Sequence, residues 1–132
     1  MSETLYAEVV AGVRATIGAH TQAQDAGRTD EVAELYTSDA VLEVPGAAPV
    51  EGRDAIRAAF KGWEPTRPQL HLVSNTVVTR VGPDEATAVS DVVFLQQGES
   101  GWGVQITGRY ADTLHLRDGA WQFLCRTTTY QA

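Results

Sequence analysis

The sequence predicts an α+β fold: three N-terminal helices packed on a strongly curved, mainly antiparallel sheet that encloses a pocket. Three observations lead there. Up to Pro68 the apolar residues recur with the 3.6-residue period of a helix, and after it with the period of two that marks strands. The strand-like runs are separated by Gly82-Pro83-Asp84, Gly98-Glu99-Ser100-Gly101 and Asp118-Gly119, all of them turn chemistry. A chain of 132 residues, 43% apolar and 20% charged, suits one domain over residues 1–132 with one core, and argues against disorder or a fibrous repeat.

From Leu5 to Gln24, residues Tyr6, Val9, Val10, Val13 and Ile17 fall within roughly 100° of arc, which predicts a long amphipathic helix. A second, short helix starts at Thr29 or Asp30, buries Val32, Leu35 and Tyr36, and is expected to end near Ser38. Ala40 to Val44 reads as a short strand stopped by Pro45-Gly46, with an irregular loop to Gly52. The third helix carries Ala55, Ile56, Ala59, Phe60 and Trp63 at helical spacing, and Pro65 and Pro68 prevent its continuation. Four strands follow, at Gln69–Val81, Glu85–Gln97, Gly103–Leu116 and Ala120–Thr129, and are expected to form an antiparallel meander. Strands of this length must twist and coil, which lets the helices close one side and leave a cavity.

The net charge of −7 opposes binding to nucleic-acid phosphates or an anionic membrane surface. The nearest basic stretch, Arg53 to Arg67, is interrupted by Asp54 and Glu64. No segment is long and apolar enough to span a bilayer, and the N-terminus lacks the pattern of a signal peptide. Cys125, the only cysteine, excludes an internal disulfide, suits a reducing compartment such as the cytoplasm and reads as a small core residue. His20, His71 and His115 show no short ligand spacing, so no metal site is expected.

Several polar residues stand where apolar ones are expected. His20 and Gln24 extend the stripe of the first helix and should point inward. Asp25 lies about 80° from Ile17, at the stripe's edge, where it can turn to the interior or to water. His71, Val73, Asn75 and Val77 alternate onto one strand face, which puts a histidine and an amide on a cavity wall. Asp91 shares a face with Val89, Val93 and Leu95, so either it is paired inside or that face of the sheet is wet.

Six strings in order carry a resemblance that spans nearly the whole chain. They are His20-Thr-Gln-Ala-Gln-Asp25, Glu34-Leu-Tyr-Thr-Ser-Asp-Ala-Val41, Glu51-Gly-Arg-Asp-Ala-Ile56, His71-Leu-Val-Ser-Asn75, Gly108-Arg-Tyr-Ala-Asp112, and Asp118-Gly-Ala-Trp121 running to Arg126. Together they resemble the NTF2-like superfamily, in particular the SnoaL-like branch with polyketide cyclases, scytalone dehydratase and bile-acid 7α-dehydratase. The resemblance implies that the fold is a cone, that His71 is the general acid/base and that Asp25 orients it. His20 stands where the family has a tyrosine, and Val44 where scytalone dehydratase has another. Asp91 resembles an acidic residue of the bile-acid enzyme.

The function expected is a cofactor-independent lyase or isomerase, dehydratase- or cyclase-like, acting on a small hydrophobic oxygenated molecule such as a polyketide, sterol or terpenoid. His71 and Asp25 are its expected catalytic pair. His20, Gln24, Tyr36, Trp63, Asn75, Asp91 and Tyr110 are its expected substrate-binding residues. The alternatives are a ligand-binding protein without chemistry, or a partner subunit resembling the β-chain of ring-hydroxylating dioxygenases. The open face of so long a sheet needs cover, so a homodimer is expected.

Overall fold

The computed structural model describes residues 1–131. Helix α1 (Glu3–Asp25) is opened by Ser2, whose hydroxyl accepts the Leu5 N–H at 3.0 Å, and it buries Val9, Val13, Thr16, Ile17, His20 and Ala23. Tyr6, expected on this stripe, lies before its buried span and is exposed. Gly12 is where α1 meets the sheet: a Cβ there would stand 2.5 Å from Cδ1 of Trp121, so only glycine permits the approach.

Helix α2 (Thr29–Glu34) is shorter than expected, and strand β1 (Tyr36–Glu43) begins where its last turn was predicted. The reason is tertiary. Phe123 N–H donates to the Leu35 carbonyl at 2.8 Å, and Arg53 Nε and Nη2 donate to the Tyr36 carbonyl at 2.9 and 2.7 Å. With these carbonyls engaged by β-strand and helix neighbours, the backbone leaves the helix early. A two-residue strand β2 (Val50–Glu51), which the sequence did not announce, pairs antiparallel with Val41 and Leu42 before helix α3 (Arg53–Gly62).

Strands β3 (Gln69–Val81), β4 (Glu85–Gly98), β5 (Gly101–Arg117) and β6 (Ala120–Tyr130) form the expected antiparallel meander. Strand β1 adds to it parallel to β6, giving the order β2-β1-β6-β5-β4-β3, a curved sheet that does not close. Ala86, Ala88, Ser90 and Val92 of β4 face the helices and are buried. Their small side chains let α1 lie close against the strands. The space under the sheet is filled by Tyr36, Ile56, Phe60, Leu114 and Phe123 together with His20, so the accessible cavity lies at the flank, between α1 and the edge strand β3. Among the described residues no helix is long and apolar enough to cross a membrane.

Candidate acid–base site

Asp25 is the last residue of α1, and the helix end delivers it to the outer edge of β3. Its Oδ2 accepts the backbone N–H of His71 at 2.7 Å, and its Oδ1 accepts Gln69 Nε2 at 3.0 Å and pairs with His71 Nδ1 at 2.6 Å. Both side chains are largely enclosed, with His71 12% and Asp25 10% exposed. Burial pushes the Asp25 carboxyl up. The hydrogen bonds from the His71 ring, the His71 N–H and Gln69 outweigh it and hold the group below its ordinary value.

The ionised carboxylate can only accept, so the imidazole proton sits on Nδ1 and the lone pair of the neutral ring sits on Nε2. Phe94 stacks on the imidazole at 4.4 Å between centroids and fixes its plane. The pair opens into a groove of about 770 Å³, walled by α1 residues such as Arg14 and Gly18 and by Val73 and Thr76 of β3. This arrangement can take up and return one proton at a fixed position.

His20 lies elsewhere. It is 2% exposed, shares a 2.8 Å hydrogen bond from Nε2 with the Tyr36 hydroxyl, and meets the rings of Tyr36, Phe60 and Phe123 edge-on. Burial first, then the charge of Arg126 and the proximity of His71, holds its pKa well below the usual histidine value, so it is neutral. Burial likewise raises the Tyr36 and Tyr110 phenols. Tyr110 covers Arg126, whose guanidinium carbon lies 3.8 Å from the ring centroid. His20, Tyr36 and Tyr110 thus belong to the closed interior and not to the groove.

The sign of the His20 shift sets an acid sensitivity. The unfolded chain protonates His20 near pH 6.5, whereas the folded chain resists, so stability is full above that pH and falls below it, approaching about 1.4 kcal/mol per pH unit. Chemical denaturation at a series of pH values between about 7 and 5 should show this loss, and His20→Phe should remove that part of the slope.

Gln24 and Trp63 line a separate small cleft between the end of α1, α2 and α3. Asn75 and Asp91 correct the predicted strand face. Asn75 has φ 55°, and the β3–β4 register shifts between Ser74 and Val77, so this bulge turns Asn75 away from His71. Its Nδ2 donates to Asp91 Oδ2 at 2.9 Å, and Arg109 Nε and Nη2 donate to Asp91 Oδ1 at 3.2 and 3.1 Å. The hydrogen bond from Asn75 first, then that from Arg109, keeps the Asp91 carboxyl below its ordinary value. This trio occupies the sheet face away from the helices, which is the wet one.

Sequence reasoning missed Gln69, two residues before His71 and on the same face, which strand alternation could have found. It also missed the buried pair Arg126–Asp112, joined at 2.8 and 3.0 Å, because cross-strand neighbours are known only once the β5–β6 register is. Among the described residues no group of three or more His, Cys, Asp or Glu side chains is placed to hold a metal ion.

A model of the SnoaL-like domain matches residues 6–127. Among solved structures, a Novosphingobium aromaticivorans protein provisionally assigned as a scytalone dehydratase is 22% identical with a TM-score of 0.88, over 99% of this chain and 89% of its own. An NTF2-like protein with a cystatin-like fold from the same organism is 23% identical with a TM-score of 0.85, over 93% of this chain and 82% of its own. The β subunit of a provisionally assigned aromatic-ring-hydroxylating dioxygenase, also from that organism, is 21% identical with a TM-score of 0.80, over 96% of this chain and 92% of its own. No curated protein matches the chain. At these identities the structures speak for the fold, which is NTF2-like, and the family match covers most of the residues that build it: the chain belongs to the SnoaL-like domain family.

Proposed function

We propose that the chain is a cofactor-independent lyase or isomerase that moves a proton next to a carbonyl, with His71 as the acid/base and Asp25 as its positioning partner. The observation that carries this reading is the double grip of Asp25 on His71, through both Nδ1 and the backbone N–H. It fixes the tautomer and the ring, and it stabilises the imidazolium that forms when Nε2 takes a proton. In the reaction, Nε2 accepts the proton from the carbon beside the carbonyl, and the C–H electron pair passes into an enolate. Where a β-hydroxyl is present, the enolate expels it while Nε2–H returns the proton, and water leaves. Thr21 lines the same groove and supplies a hydroxyl donor to a substrate oxygen, while Ile17 and Val73 supply apolar wall. A hydrophobic oxygenated substrate of the polyketide, sterol or terpenoid kind suits it.

The experiment is to incubate the protein with β-hydroxy ketones of these three kinds in D2O and follow deuterium at the carbon beside the carbonyl. Incorporation or dehydration that depends on His71 supports the reading. Binding without either, across the whole panel, replaces it with a ligand-binding function, and copurification with a larger iron protein would instead favour a dioxygenase partner role.

The protein is further proposed to act as a homodimer through the outer face of the sheet, where Leu72 and Val77 of β3 and Trp102 and Val104 of β5 are exposed on either side of β4. Light scattering at micromolar concentration should give a dimer mass, and Val104→Arg should give a monomer. A monomeric wild type would refute the interface.

A further inference from the structure

The groove has one charge that the protein does not compensate. Asp25 is satisfied by three donors, and Arg28, at the same end, is paired with Glu31 at 2.7 Å. Arg14 lies at the other end. Its Nη1 donates to the Thr76 carbonyl at 3.1 Å, which holds the guanidinium against the groove wall, and among the described residues no carboxylate reaches it within ion-pair distance. In a chain of net charge −7 the supply of carboxylates is ample, yet none is placed here.

Gly18 is the second observation. It lies one turn from Arg14 on the same side of α1, between Arg14 and Asp25, and lines the groove. Glycine inside a helix is destabilising relative to alanine. Gly12 is required by Trp121, but a Cβ on Gly18 would meet nothing within 4 Å. No protein group needs Gly18 to be small, and the space above it belongs to the groove.

We infer that the groove takes an elongated monoanionic ligand, its carboxylate on Arg14, its chain across Gly18 and its far end against His71. Positions 14 and 25 are about 16 Å apart along α1. Thr76, which holds Arg14, is about 17 Å from His71 along β3. Allowing for contact distances at both ends, the ligand measures on the order of 10 Å from its carboxylate to the carbon at His71. Arg is suited to the anion because its planar fork can grip a carboxylate with two N–H donors. The inference rests on the reading of His71 as the reacting end, and it names the substrate class for that reading.

The test measures binding and needs no turnover. Octanoate and 1-octanol, matched in chain, are titrated against the full chain with the Gly18 and Thr21 amide resonances as reporters. Octanoate should bind about tenfold or more tightly than the alcohol, as one charge-assisted contact implies. Arg14→Gln should erase that preference and Arg14→Lys should restore part of it. Gly18→Leu should weaken both probes, with circular dichroism confirming an intact fold. Equal binding of the two probes, a preference that survives Arg14→Gln, or no shift at Gly18 would overturn the inference. Any of these results beside a turnover that still depends on His71 would refute the ligand class alone and leave the chemistry standing.

Discussion

His71→Ala is expected to lower turnover on an accepted substrate by about 10²- to 10⁴-fold, the range of a general acid/base, while the thermal unfolding curve keeps its shape. The ring sits at the flank against Phe94 and the groove, not in the packed interior, so its removal leaves the core untouched. Asp25→Asn should cost less. The amide oxygen can still accept the His71 N–H, but it no longer stabilises an imidazolium, so the loss should fall in kcat with KM little changed. In the same variant the downfield Nδ1–H proton resonance expected of a 2.6 Å charge-assisted bond should disappear. Full turnover in His71→Ala would leave the groove a binding site only.

The second large effect concerns stability. Arg126 and Asp112 are 2% and 0% exposed, and their side chains meet through two parallel bonds between the faces of Tyr110 and Phe123. The Arg126 pKa is raised: burial alone would lower it, and the charge and hydrogen bonds of Asp112 more than offset that. Asp112→Ala leaves a buried guanidinium without its counter-charge and should destabilise the protein by about 3–5 kcal/mol. The double change Arg126→Met with Asp112→Leu removes both charges and restores apolar packing, so it should recover most of that loss. Urea denaturation of the single and double variants decides the point. A double variant no more stable than Asp112→Ala would mean that the pair contributes more than mutual neutralisation. Nη1 of Arg126 and Nδ1 of His20, both buried without a hydrogen-bond partner, make this interior a costly place for any further loss of pairing.

The sequence by itself determined the three helices and the four long strands after Pro68, because hydrophobic period is local: a stripe at 3.6 residues in each helix and alternation after Pro68 leave little choice but helices packed on a meander. The resemblance of its strings to a known family placed His71 and Asp25 in one site. Among the described residues no helix is long and apolar enough to cross a membrane, as the hydropathy pattern predicts. Other outcomes depended on contacts between distant parts of the chain. Asp25 stood at the edge of its stripe, where helical geometry is neutral between water and interior, and only the arrival of β3 with its Gln69 and His71 donors decided for the interior. Tyr36 left its predicted helix because Phe123 of β6 holds the Leu35 carbonyl and Arg53 holds the Tyr36 carbonyl, which fixes this segment beside β6 as a strand. Asn75 left the face of His71 because one bulge shifts the alternation of every residue after it, and a bulge is invisible in the period of a short strand. The position of the groove was decided last. The hollow of the sheet is filled by rings from α1, α3, β1 and β6 and by a buried ion pair whose partners meet only through the β5–β6 register, and that packing leaves the open space at the flank of α1.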